Sequence, residues 1–570
     1  MGGSLPQSFL EGVFEFLRSN ENSFTKESLV KEKQRLAKEH GIVNVPSDIC
    51  ILTHLDGNEL EYAKPYLLSK PSRSGSGVTV VAVMTRPKRC PHGRCTYCPG
   101  GPSSLFGDTP QSYTGHEPAA LRGARANFDA YVQVFNRLEQ YLVSGHDPQK
   151  VELIIMGGTF PAEDVGYQDA FVRDCYQALN DFSRLFYDEE GVLRLERFKE
   201  FFLLPGSVHD ETRVVKVQEA VVQVKAGREQ TLEESQQENE SARLRCVGTT
   251  IETRPERDLL PVANNLLRLG VTRVELGVQT TFDDVLEKVH RGHTVQDSID
   301  SISVLRDLGL KVNAHLMLGL PLMTRERDVE AVKRLFTDPG FKPDMLKIYP
   351  CMVLPGTPLY DDYKNGSYTP LSTNEAASLI AEMKQFVPRW VRIMRVQRDI
   401  PSNLVAAGVD KTNLRQVVGE RLAALRTRCS CIRCREIKNR EAKKAVLNVL
   451  AYEANGGEEF FISIDDPTQD ALIGFCRLRF PGKQLRPEFD VRTAIVRELH
   501  VYGKATGLGV VGVPSSSQHK GYGSQLLHVA ERISREHGKR KLLVISGVGV
   551  RQYYEKLGYK REGPYMGKEV

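Results

Sequence analysis

No apolar run in this sequence approaches the roughly 18 residues that a membrane-spanning helix needs. The apolar stretch near the start, Phe9 to Leu17, carries Glu11 and Glu15 and has no basic lead, so it reads as an amphipathic helix and not a signal segment. A myristoylation signal is missing as well, because Pro6 stands where Ser or Thr is required. The expected compartment is the cytoplasm, with no membrane partner. Cysteine is scarce: eleven in 570 residues are too few for a disulfide scaffold, and the cytosol would keep them reduced. What is present is ordinary globular material. Hydrophobic residues at 41% and charged residues at 26% exclude wholesale disorder and a coiled-coil rod. At roughly 150 residues per domain, the length asks for three to four domains.

The net charge of +5 hides an asymmetry. From Lys64 to Arg94 there are seven basic residues and no acid, and from Lys384 to Lys444 sixteen basic residues face five acidic ones. Such segregation suits a polyanion, with nucleic acid the leading candidate because phosphate neutralisation releases counterions. A solvated basic helix face is the plainer reading of either segment alone.

Six of the cysteines fall into two groups. Cys90, Cys95 and Cys98 lie in Cys-Pro-His-Gly-Arg-Cys-Thr-Tyr-Cys-Pro-Gly-Gly, and Cys429, Cys431 and Cys434 in Cys-Ser-Cys-Ile-Arg-Cys. Reduced thiols at such spacing bind metal. Cys50, Cys175, Cys246 and Cys476 sit in apolar settings and read as inert core.

Along the chain, residues 1–75 read as a helical region ending in a Ser- and Gly-rich linker. Residues 76–383 alternate strand and helix six times: Val78 to Thr85, Val151 to Met156, Arg245 to Glu252, Arg273 to Val278, Lys311 to Leu318 and Met345 to Tyr349. That pattern predicts an α/β fold, a partial TIM-type (βα)6 barrel with its chemistry at the strand C-terminal ends. A Glu- and Gln-rich insertion over about 208–242 reads as helical or partly disordered. Residues 384–444 form a basic connector with the second cysteine group, and residues 445–570 an α+β domain with strands at Phe460 to Ile464, Ala471 to Arg479, Thr493 to Val501, Leu508 to Val513 and Lys541 to Ser546.

Three thiolates within nine residues, just past the first strand, can hold three corners of an iron-sulfur cubane and leave one iron open to S-adenosylmethionine (SAM). A zinc knuckle with a distant fourth ligand is the alternative. Gly157 and Gly158, at the end of the second strand, offer bare backbone to the SAM amino group. The second group reads as a closed structural zinc, which wants four ligands. Cys351 is the candidate fourth, with His315 or a water as alternatives. In the last domain, Gln518-His519-Lys520-Gly521-Tyr522-Gly523 opens a helix, where glycine lets backbone amides and the helix dipole hold a pyrophosphate.

The Cys-rich loop after strand one and the Gly-Gly after strand two resemble the radical SAM superfamily. The glycine run, with Glu498-Leu499-His500-Val501, Tyr553-Tyr554 and Leu557-Gly558-Tyr559, resembles the GNAT acetyltransferases. The four-residue gap between Cys90 and Cys95 departs from the usual Cys-x3-Cys-x2-Cys. Together with Cys-Pro-His and Tyr-Cys-Pro-Gly-Gly it is similar to the family of the Elongator catalytic subunit, with the shorter, prokaryote-like cluster loop. The resemblance spans roughly residues 20 to 570.

The resemblance implies a [4Fe-4S] cluster, SAM, acetyl-CoA as co-substrate and a structural zinc ion. It further implies that Glu252, Gln279 and Lys347 line the SAM pocket. Glu498 to Val501, Gln518 and Gly521 to Gly523 would hold acetyl-CoA, Tyr553 or Tyr554 would bond the thioester or its leaving thiolate, and Lys150 would contact the acetyl group. The expected reaction is radical carboxymethylation at C5 of the wobble uridine, the base splayed from a tRNA anticodon stem-loop into a cleft between the domains. Lys88, Arg89 and Arg94 are candidate tRNA contacts. A homodimer is left open, as are Elongator-type scaffold subunits if the source is eukaryotic. Two rival readings are a protein lysine acetyltransferase on a structural barrel and a non-catalytic RNA-binding module.

Overall fold

The computed structural model describes residues 5–21, 23–69, 77–206, 210–256, 259–438, 440–503 and 521–570. The chain divides into two compact units. The first comprises residues 1–81, 131–151 and 173–245, and the second residues 82–130, 152–172 and 246–570.

The first unit is helical. Helices Gln7–Ser19, Lys26–Glu39, Asp48–His54 and Gly57–Leu67 bury Phe9, Val13, Leu17, Leu36 and Ile51 in one cluster. The second of these starts at a Thr25–Ser28 capping box, which satisfies two donors at the helix start. The predicted insertion is helical where described, over Glu211–Ala226 and Leu232–Asn239. Nearby in this unit, Phe135, Phe182, Phe186, Phe198 and Phe202 stack ring on ring at centroid distances of 4.7 to 6.4 Å.

The second unit carries two sheets. One has the order β1 (Val78–Met84), β2 (Lys150–Met156), β3 (Arg245–Thr253), β4 (Arg273–Gln279), β5 (Lys311–Leu318), β6 (Met345–Pro350) and β7 (Arg392–Arg395). Neighbours from β3 to β7 pair in parallel, giving the curled half-barrel that strand–helix alternation predicts. The six expected strands are there. A seventh, β7, comes from the basic connector. Its four residues, Arg-Ile-Met-Arg, are too short and too charged to read as a strand, and pairing with β6 imposes the conformation.

The second sheet has the order β13 (Lys560–Glu562), β14 (Tyr565–Glu569), β12 (Lys541–Val544), β11 (Thr493–Val501), β10 (Ala471–Phe480), β9 (Gly457–Asp466) and β8 (Val446–Ala454). Helix Tyr522–Glu536 packs on it, and Phe475, Leu478, Val496, Leu526, Ala530 and Leu542 lie in its core. Three strands escaped the sequence reading. β8 is a largely exposed edge with no buried alternation, and β13 and β14 form a hairpin in what reads as a tail. The strand expected over Leu508 to Val513 lies outside the described residues.

The acetyltransferase-like sheet meets the half-barrel through buried arginines. Arg497 donates to Asp344 Oδ2 (3.0 Å) and to the Leu310 carbonyl (2.9 Å), and Arg479 Nε donates to Asp307 Oδ1 (2.9 Å). Arg306 pairs with Glu459 at 3.0 Å. Arg497 is the extra residue of a β-bulge, since Arg477 pairs with Glu498 and Leu478 with Val496. Asp307, Leu310 and Asp344 immediately precede β5 and β6. The sheet therefore abuts the N-terminal end of the barrel, opposite the end where β1 and β2 deliver the Cys and Gly-Gly loops. No helix of the described residues is long and apolar enough to cross a membrane.

Candidate functional site

The loop after β1 brings three thiols to the C-terminal end of the half-barrel, and each has a polar neighbour. Cys90 Sγ lies 3.5 Å from Thr159 Oγ1, Cys95 Sγ lies 3.3 Å from His92 Nε2 and 3.7 Å from Arg291 Nη1, and Cys98 Sγ accepts from Gln111 Nε2 at 3.0 Å. The three sulfurs do not all lie within 4.8 Å of one another. Among the described residues the group that does is Cys429, Cys431 and Cys434. A single tetrahedral ion at a 2.3 Å bond length needs sulfurs roughly 4 Å apart, whereas cubane corners stand further apart. The second trio thus fits a single ion, and the first is too open for one.

Gly157 and Gly158 follow β2 with φ of 135° and 92°. A Cβ on Gly157 would collide with the Thr85 side chain, and one on Gly158 would press on Gln111. Both positions need glycine for conformation and for space, leaving open backbone beside Cys90.

Glu252, next to last in β3, accepts from the Tyr113 hydroxyl at 2.6 Å. Gln279 ends β4 in the left-handed region, with φ of 70°. Lys347 lies within β6. Its ammonium bonds Glu275, which also accepts from Asn313 Nδ2 (3.2 Å) and lies 3.0 Å from His315 Nε2. Burial alone would raise the Glu275 carboxyl, but the Lys347 ammonium and then His315 and Arg273 pull it well below the ordinary carboxylate range. Lys347 is thus held in an ion pair inside the barrel. The same bond removes His315 from the second cysteine group.

Cys351 is not the fourth ligand either. It ends the β6 segment against Cys95, Cys98, Tyr97 and Tyr368, and burial lifts its thiol to about 12. β6 carries it to the cluster end of the barrel, whereas the second trio sits where Ile432 N–H bonds the Val391 carbonyl beside β7. In that trio Cys429 and Cys431 are buried and Cys434 is exposed, with Lys384 Nζ 3.7 Å from Cys434 Sγ. The Cys431 thiol is held low, first by hydrogen bonds from Cys429 and then from Cys434. Thiols that share protons around one thiolate suit a divalent cation.

In the second sheet, β12 pairs only with Thr493 to Val496, so Glu498, Leu499, His500 and Val501 diverge from it and stay partly exposed. Glu498 accepts from Arg477 Nε at 2.8 Å. His500 packs between Phe475 and Tyr502, and burial lowers its imidazole to about 4. Gly521, at φ 80°, precedes helix Tyr522–Glu536. Beside it the Tyr553 hydroxyl stands 2.9 Å from where a Gly523 Cβ would be. Tyr553 is 38% exposed and Tyr554 only 5%. Tyr554 packs against Tyr559 in the core, so of the pair Tyr553 is the one that faces the start of the helix. Gln518 lies outside the described residues. Lys150 begins β2, the strand whose far end carries Gly157, and it belongs to the first unit.

Between the two ends, inward positions of the barrel strands are polar. Arg273 pairs with Glu152, Lys311 feels the Glu498 carboxylate, and the Glu275–Lys347–His315 group comes next along the strands. Lys88 bonds the Ala162 carbonyl (2.8 Å), and Arg94 bonds the carbonyls of Cys98 (2.9 Å) and Gly356 (2.8 Å), so they tie the loop after β1 to the segments after β2 and β6. The sequence reading missed Arg291, Gln111 and Tyr113. Arg291 lies in His-Arg-Gly-His-Thr, whose only signal is its basic character. A cavity of about 750 Å³ opens there, lined by Arg254, His290, Arg291 and His293.

Comparison with known proteins agrees with this geometry. The Radical SAM superfamily matches residues 84–335, the Radical SAM C-terminal domain residues 343–424, and the Acetyltransferase (GNAT) family residues 429–559. A "tRNA uridine(34) acetyltransferase" of Methanocaldococcus jannaschii is 46% identical over 92% of this chain and 90% of its own. "Elongator complex protein 3" of Dictyostelium discoideum is 39% identical over 100% of this chain and 96% of its own. The solved structure of the archaeal Methanocaldococcus infernus Elp3, with an N-terminal deletion (1–46), covers 87% of this chain and all of its own at 41% identity, with a TM-score of 0.69.

Proposed function

This chain belongs to the family of Elongator complex protein 3 and the tRNA uridine(34) acetyltransferases, and we propose that it carboxymethylates C5 of the wobble uridine in tRNA, using SAM and acetyl-CoA. The observation that carries the reading is the pairing, on one compact unit, of a thiol trio too open for a single ion at one end of a half-barrel and a splayed acetyl-CoA strand at the other. Bound to this chain, the cluster and SAM supply a 5′-deoxyadenosyl radical and acetyl-CoA supplies the two-carbon unit.

The residues divide the work. Cys90, Cys95 and Cys98 hold the cluster, and the Gly157–Gly158 backbone and Glu252 orient SAM above it. Gln279, in its left-handed turn, completes that end of the pocket. The diverging backbone of Glu498 to Val501 and the start of helix Tyr522–Glu536 hold the thioester, and the Tyr553 hydroxyl donates to the departing thiolate. Because the two sites occupy opposite ends of the barrel, the polar inner face between Glu498 and Glu252 is the route that joins them. That route takes the place of the expected cleft between the domains. The division 76–383, 384–444 and 445–570 then separates radical generation, a zinc-stiffened connector and acetyl-CoA binding, with residues 1–75 as a tRNA contact.

The zinc assignment rests on the compact second trio, and metal analysis of a Cys431→Ser variant tests it: one zinc per chain should be lost while iron stays. A lysine acetyltransferase reading gains nothing from the buried arginine contacts that fix the acetyl site to the barrel. The compartment that suits a tRNA substrate is the cytoplasm. Solution mass would show whether a second copy or scaffold subunits associate. The reading as a whole is tested by incubating anaerobically reconstituted protein with SAM, acetyl-CoA, tRNA and a reductant, then weighing the digested nucleosides. A 5-carboxymethyluridine that needs all three substrates supports it, and unmodified uridine from protein of full iron content overturns it.

A further inference from the structure

The Arg291 side chain enters the protein beside the cluster thiols, where Gly277 leaves room for its guanidinium and Gly292 leaves room for His92. Its Nη2 donates to the Gly277 carbonyl at 2.9 Å, and a Cβ on Gly277 would overlap that nitrogen. Gly292, at φ 70°, stands against His92, where a Cβ would fall 2.7 Å from the His92 Cβ. The guanidinium so placed has Nη1 3.7 Å from Cys95 Sγ, and its buried Nε has no partner. Among the described residues no carboxylate pairs with it, unlike the arginines that face Asp344 and Glu459. A guanidinium keeps its charge at any accessible pH. A partly buried cation left without an anion is less stable than a paired one. The nearest groups able to carry the compensating charge are the thiolates of the trio.

We propose that Arg291 is a positioning residue for the iron-sulfur cluster, its charge placed on Cys95 to favour the reduced state and so to raise the cluster's reduction potential. The proposal rests on the cluster assignment made above. Reduction adds one electron, and thus one negative charge, to a centre within hydrogen-bond reach of the guanidinium. Donors and positive charge at the sulfurs move such potentials upward. His92 at Cys95 and Gln111 at Cys98 add neutral partners, but Arg291 is the charged one.

The test is a potentiometric titration of the reconstituted full chain, followed by electron paramagnetic resonance, in wild type, Arg291→Lys, Arg291→Gln and Arg291→Met. Iron and sulfide content is measured first. A wild type without four irons at the trio would remove the cluster reading itself, independently of Arg291. With the cluster present, the neutral variants should hold it at full iron content and be reduced about tenfold less at a fixed potential, which is 59 mV for one electron. The lysine variant should fall between them and wild type. Iron uptake by the lysine variant but by neither neutral variant would carry the same conclusion. Equal potentials in all four proteins, or loss of iron in the lysine variant as well, would reduce Arg291 to a packing residue and overturn the proposal.

Discussion

The Tyr113 hydroxyl donates to Glu252 Oε2 at 2.6 Å, tying the loop that follows the cluster cysteines to the end of β3. A carboxylate so oriented is ready to accept from a bound SAM. Hydrogen bonds to a charged group contribute about 1.5–3 kcal/mol. Glu252→Gln should therefore weaken SAM binding at least about tenfold while leaving acetyl-CoA affinity unchanged. Tyr113→Phe should give a smaller loss of the same kind. Equilibrium binding of both ligands to each variant checks this, and equal SAM affinity in the glutamine variant would contradict it.

The tyrosine pair separates chemistry from packing. Tyr553→Phe should slow acetyl-CoA turnover about 10²-fold or more, as removal of a positioned proton donor does, with little change in melting temperature. Tyr554→Phe should leave turnover near wild type, whereas Tyr554→Ala should cost about 3–5 kcal/mol of stability, as emptying a buried aromatic site does. Steady-state kinetics and denaturant melts of the three variants distinguish the roles.

Asp344 holds the junction between the sheets. Burial would raise its carboxyl, but Arg497, Arg306 and Arg477 draw it below the ordinary carboxylate range. Asp344→Asn leaves buried arginines uncompensated and should cost about 3–5 kcal/mol. Radical cleavage of SAM alone should survive better than the coupled reaction, since the damage lies at the end of the barrel away from the thiols. Melting curves and the two activities, measured on one preparation, test both statements.

Much of this arrangement was legible in the sequence, and the failures have physical causes. Strands β1 to β6 announced themselves through apolar runs bounded by turns, and the cysteine and glycine motifs marked their own loops. β7 and β8 were invisible because a short charged strand and an exposed edge strand draw their structure from their neighbours. His315 and Cys351 were misplaced for one reason. Sequence gives the residue type at a strand position, but not the buried carboxylate or apolar cluster that engages it. Arg291 went unseen because its role comes from Gly277, fourteen residues earlier on another element.

Asp328 gives the pH dependence a specific source. Burial lifts its carboxyl from an ordinary 3.8 to about 7, against the opposing bond from the Gly319 N–H. The native state binds this proton more tightly than the unfolded chain. Its contribution to stability is fully present below pH 3.8 and is lost as pH rises through about 7. Asp328→Asn keeps the shape without the titration. Its melting temperature should gain on wild type steadily between those two pH values and hold a constant lead above them. Parallel curves across the range would contradict the assignment.

The most direct measurement uses acetyl-CoA carrying three deuterons on the acetyl methyl. Reconstituted protein is given this substrate with SAM, tRNA and a reductant, and the 5′-deoxyadenosine produced is weighed. One deuteron transferred into that product, dependent on tRNA, is the predicted result. Deoxyadenosine that forms at the same rate and carries none would contradict hydrogen abstraction from the acetyl group.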